Sequence, residues 1–80
     1  MNKENIFKNV SKVFNIEPND EFLMKCWEIV CSEHFNEQLP EDLWTTALIT
    51  EYAFCSGNFP IWKEYQVKFN QAYFGGKNNG

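Results

Sequence analysis

The chain has no arginine, only one histidine, three cysteines, three prolines and four glycines in 80 residues, and no long apolar run. Each scarcity removes a class of function. Without Arg there is no bidentate fork for phosphate groups or guanine edges. An odd set of three Cys makes no disulfide framework and suits a reducing compartment, where Cys packs as a small apolar residue. No stretch approaches the roughly 18 apolar residues of a membrane span, and Met-Asn-Lys-Glu-Asn lacks the apolar region of a secretory leader, so no membrane insertion and a cytoplasmic location are expected. No G-x-x-x-x-G-K, G-x-S-x-G or H-E-x-x-H motif occurs.

Aromatic residues, by contrast, are abundant: eight Phe, three Trp and three Tyr, or 18 % of the chain. Each can bury roughly 150–250 Å², so a single small domain over residues 1–80 can build a core and leave rings over for a partner. Charge is uneven. The net value of −4 hides a central block, residues 17–59, with nine acids against Lys25, between two termini that are each net positive. Such a block repels phosphate and disfavours nucleic acid as a partner.

Hydrophobic periodicity predicts an all-α domain of four helices, at about 5–14, 20–35, 40–56 and 60–74, with a polar, flexible tail over 75–80. In the first helix Ile6, Phe7, Val10, Val13 and Phe14 fall within an arc of about 120°. The second opens at Asn19 or Asp20, both good N-caps. Its apolar residues Phe22, Leu23, Cys26, Trp27, Ile29 and Val30 cover a face wide enough for two neighbours. The third carries Pro40 in its first turn, followed by Glu41 and Asp42, and from Leu43 to Ser56 only Glu51 is charged. A helix apolar on nearly all sides is buried, which makes this one the centre of the fold. Gly57 ends it, and Asn58-Phe59-Pro60 starts the last helix, which Gly75-Gly76 stop. There Trp62, Tyr65, Phe69 and Tyr73 lie within about 80° of one another. The run from Tyr65 to Phe69 also alternates as a short strand does.

No side-chain set carries recognisable catalysis, and no metal or cofactor is expected. Cys26 and Cys31 lie about 140° apart on one helix, too far round to chelate one ion with His34 and Cys55. Cys31 and His34, at i and i+3, could lower a thiol pKa, but with no oxyanion donor beside them. The sharper candidates are partner-binding: the stripe Trp62, Tyr65, Phe69, Tyr73, and the acids Glu33, Glu37, Glu41 and Asp42 at the second junction. Trp and Tyr dominate protein-binding hot spots, and carboxylates steer a basic surface. The reading is a non-catalytic module that binds another protein stoichiometrically, the partner having a basic or apolar surface, with self-association as one version. Inhibitor, antagonist and adaptor roles all fit. Abundant Asn, Lys, Phe and Ile beside absent Arg and scarce Ala point to an AT-rich coding genome. That makes a phage or mobile-element accessory role in a host cytoplasm the leading setting: host takeover, defence evasion or lysis control. Two alternatives stand beside it, an acidic DNA mimic and a small enzyme using the Cys31–His34 pair.

Overall fold

The first turn of a helix leaves backbone N–H groups without partners, and this chain supplies side-chain acceptors at three of its four helix starts. The computed structural model describes residues 2–75, which form α1 (Lys3–Phe14), α2 (Glu21–Glu33), α3 (Glu41–Ser56) and α4 (Phe59–Gly75), with no strand among them. The Asn2 side chain accepts from the Asn5 amide at 3.1 Å, Asp20 from Leu23 at 3.1 Å, and Asn58 from Ile61 at 3.4 Å. At α3 no side chain does this. Pro40 is the cap there, its carbonyl accepting from the Leu43 and Trp44 amides, with Glu41 and Asp42 in the turn that the helix dipole makes favourable for acids. The left-handed positions that follow α1 and α3 are Asn15 (φ 56°) and Gly57 (φ 78°). Asn tolerates that region and Gly has no Cβ to clash in it.

The helices match the periodicity, with shifts at their ends. Asn2 caps α1, so it starts two residues earlier than expected. The second helix stops at Glu33 instead of Phe35, because His34 leaves helical geometry (φ −116°, ψ 35°). Pro40 sits one position outside α3 rather than within its first turn. Helix α4 begins at Phe59, runs through Gly75, and carries Tyr65 to Phe69 as helix, not strand. The expected tail past Gly75 lies outside the described residues.

Helix α3 packs against each of the other three. Ile6 and Val10 of α1, Leu23 and Cys26 of α2, and Leu48 of α3 are fully enclosed. Aromatic edges close the layer: Phe7 meets Trp27 at 5.6 Å, and Trp27 meets Trp44 at 5.5 Å. The hydroxyls of α3 do not interrupt this packing. Thr45, Thr46, Thr50 and Ser56 each donate to the carbonyl four residues back, at 2.8–2.9 Å. A helix that satisfies its own hydroxyls can be covered by apolar neighbours without cost in lost hydrogen bonds. Helix α4 lies along α3 as an outer layer, pressing Ile61, Tyr65 and Phe69 against the core while burying no residue completely.

Two expectations are corrected. Phe22 and Ile29, expected on the packed face of α2, stand exposed, because Leu23, Cys26, Trp27 and Val30 alone fill the stripe that faces the core. The last turn of α3 is not enclosed either: Phe54 and Cys55 project beyond the neighbours that cover Trp44 to Ala53. The Cα radius of gyration, 12.2 Å, is close to the roughly 12 Å of a tightly packed chain of this length.

Replacing Leu48, which has no solvent exposure, by Ala is expected to cost about 2–5 kcal/mol in urea denaturation. Phe54→Ala, at 55 % exposure, should shift stability by only about 0.5 kcal/mol. Equal losses at the two sites would contradict the central placement of α3.

Candidate functional site

The sequence places an aromatic stripe on one helix and an acidic junction elsewhere, and the structure brings one end of each together. Along α4, Trp62, Tyr65, Phe69 and Tyr73 are all half-buried, facing α3 and the end of α2. Trp62 is flanked by two exposed rings, Phe54 at 5.8 Å and Phe59 at 6.3 Å. Three turns on, Tyr73 stacks on Phe69 with centroids 5.2 Å apart and planes 15° from parallel.

At that far end the stripe meets the acids. The Tyr73 hydroxyl donates to one carboxylate oxygen of Glu37, and Nδ1 of His34 bonds the other. A carboxylate can only accept, so His34 carries its proton on Nδ1. The imidazole is wedged among rings, 5.6 Å from Phe69, 5.8 Å from Tyr73 and edge-on to Trp44 at 6.1 Å. Glu37 therefore ties the loop after α2 to the last turns of α4, and the ring packing holds His34 in the orientation that the bond needs.

The other acids diverge. Glu41 turns to α1, accepting from the Asn2 backbone amide at 2.9 Å and from Asn5 Nδ2 at 3.0 Å. Those two bonds hold its carboxyl below the usual range, and it sits where the positive end of the α1 dipole favours an anion. Asp42 is exposed in the first turn of α3. Glu33, exposed at the end of α2, stays on the α4 side, where it borders a cleft of about 130 Å³ between α2, α3 and α4. Val30, Ala47 and Phe69 supply the apolar lining of this cleft; Glu33, Thr50, Glu51 and Gln66 supply the polar part, beside His34. Glu33 and Phe69, assigned from sequence to two separate features, thus line one space. A wider groove of about 650 Å³, between α1 and the start of α2, is bordered by Lys3, Phe7, Lys8, Pro18 and Met24 and contains none of the expected site residues.

The thiols are neighbours in a way the spacing does not reveal. Burial, and then the adjacent Cys55, pushes Cys26 up to about 12. Burial also raises Cys31, the nearby Lys3 opposing it weakly. Cys55 is exposed, and its Sγ donates to Glu51 at 3.1 Å. A raised pKa withholds the thiolate that nucleophilic chemistry needs, and His34 is engaged with Glu37. Sequence reasoning also missed the most exposed rings, Phe35 at 81 %, Phe54 and Phe59. Their only signal was a position off the main helical stripe.

Tyr73→Phe and Glu37→Gln should each destabilise the fold by about 0.5–1.5 kcal/mol, and the double variant should lose less than the sum. Strict additivity in a double-mutant cycle would show that the bond is not formed in solution. Alkaline pH tests Cys26. Its folded-state value lies above the ordinary 9.0, so its stabilising effect is complete below that pH and falls as pH rises from 9 towards 12. The slope is at most about 1.4 kcal/mol per pH unit for one proton. Urea midpoints across this range should flatten in Cys26→Ala, although that variant starts from lower stability.

No family model, curated protein or solved structure matches the chain. The functional assignment therefore rests on the chemistry of these residues.

Proposed function

We propose that the chain works without catalysis, by forming a one-to-one complex with another protein through the face where the end of α2 meets α4. The observation that carries this reading is the convergence there of acids and rings: Glu33 with Phe69 at one cleft, and Glu37 bonded to Tyr73. Phe35, the most exposed large apolar side chain among the described residues, stands next to them in the chain. Exposed aromatic area supplies affinity when a partner desolvates it, and carboxylates around it orient a basic surface during approach. The partner is accordingly a protein with a basic surface, and the chain acts as an inhibitor, antagonist or adaptor, in the setting of a phage or mobile-element accessory protein. A second copy of the chain is the special case of self-association.

The arrangement gives less support to the other two readings. A mimic of duplex DNA calls for carboxylates spaced along one exposed face, whereas Glu41 is spent on α1 and Glu37 on Tyr73 and His34. An enzyme built on Cys31 calls for a thiolate, and burial pushes that thiol the other way. Among the described residues, no helix is long and apolar enough to cross a membrane.

The test is capture from a bacterial lysate, followed by reconstitution with the purified partner. Calorimetry should give one-to-one binding that weakens as salt is raised. Phe35→Ala and Glu33→Gln should each weaken it about tenfold, equivalent to about 1.4 kcal/mol, with the melting temperature unchanged. Failure to reconstitute a complex from any captured protein, or variants that bind as the parent does, would overturn the proposal.

A further inference from the structure

The cleft between α2, α3 and α4 has a chemistry that narrows what it can hold. Its volume of about 130 Å³ is below the roughly 300 Å³ at which small-molecule sites begin, and is on the scale of a single side chain. Its polar lining is weighted towards acceptors. Glu33 and Glu51 are carboxylates. The Thr50 hydroxyl gives its proton to the Thr46 carbonyl at 2.8 Å and so offers lone pairs to anything else. His34 has its Nδ1 taken up by Glu37 and so has only Nε2 left to turn to an occupant. Gln66 is the one lining side chain that brings donors of its own as well as an acceptor. Among the described residues no lysine borders the space. The rest of the lining, Val30, Ala47 and Phe69, is apolar.

An occupant that suits this lining is rich in donors, positively charged at its tip and apolar along its stem. A carboxylate would be repelled, and a purely apolar side chain would leave the acceptors facing each other without donors. Arginine meets both demands. Its guanidinium has five donors and no acceptor, its methylene stem can lie along Val30 and Ala47, and its plane can rest on an aromatic face such as that of Phe69. We infer that this cleft is a receptor for one arginine side chain of the partner protein. The inference rests on the protein-binding reading above and names the group through which the acidic face holds its partner. The chain itself contains no arginine, so the occupant comes from a different protein and not from a second copy.

The probe is Nα-acetyl-arginine amide, titrated into the intact protein and followed by amide NMR, with the citrulline analogue as an uncharged control of the same shape. Saturable shifts are expected at Val30, Ala47, Thr50 and Phe69 with the arginine compound, and affinity at least about tenfold weaker with citrulline. Glu33→Gln combined with Glu51→Gln should abolish the difference, since Gln keeps an acceptor for Cys55 and disturbs no core packing. Gln66→Lys, which sets a competing ammonium at the cleft, should abolish binding by an independent route. Equal response to the two compounds, shifts that fall elsewhere, or no response up to the solubility of the probe would each overturn the inference. If the probe fails while a partner still reconstitutes one-to-one, the arginine receptor falls and the binding role stands. If the probe binds and no partner is found, the converse holds.

Discussion

Covering α3 is the constraint on which the structure depends. From Leu43 to Ser56 that helix has one charged side chain, and its hydroxyls are bonded to its own backbone, so it offers water little on any side. One neighbour could bury only a stripe of it. Three are therefore needed, and each of the other helices is positioned by what it contributes: Ile6 and Val10 from α1, Leu23 and Cys26 from α2, and the half-buried rings of α4.

The three covers differ in kind, and the difference locates the candidate site. Helices α1 and α2 interdigitate with α3 through aliphatic side chains and the Phe7, Trp27, Trp44 contacts, and they produce every fully enclosed residue outside α3. Helix α4 arrives with rings that are only half-buried against the core. It seals α3 from one side, and its ring edges stay accessible. A gap beside Phe69 remains as the cleft. The Tyr73–Glu37–His34 bonds secure the far end of α4, where apolar burial is weakest. A partly exposed, hydrogen-bonded aromatic layer over a dry core is the kind of surface from which protein contacts are made.

Much of the fold could be read from the chain because its cues agree with one another. Asp20 caps, Gly57 takes a left-handed turn, and the apolar period is 3.6 in α1 and all-round in α3, so local preference and burial point the same way. What could not be read depends on which helix faces which. Periodicity says that Phe22 and Leu23 lie near one another on α2, but only the position of α3 decides that Leu23 is enclosed and Phe22 is not. The same holds for the site. Glu33, Glu37, Glu41 and Asp42 look like one cluster in sequence, yet each takes the direction of its own helix end, and only two of them reach α4. The Cys26–Cys55 proximity and the joining of Glu33 to Phe69 are likewise products of packing, with no local pattern to announce them.

The division of the acids alters what the net charge of −4 means. A carboxylate held by two N–H donors at a helix start, as Glu41 is, has part of its field cancelled by the dipole it caps and contributes to folding more than to recognition. Glu37 is held in the same manner by Tyr73 and His34, and its role is to orient the rings around it. Glu33 and Glu51 differ: they border a partly apolar space that no lysine lines among the described residues. A charge next to a low-dielectric wall is felt more strongly than one surrounded by water. Under the proposed binding role, a partner's affinity should follow these two carboxylates more closely than it follows the total charge of the chain.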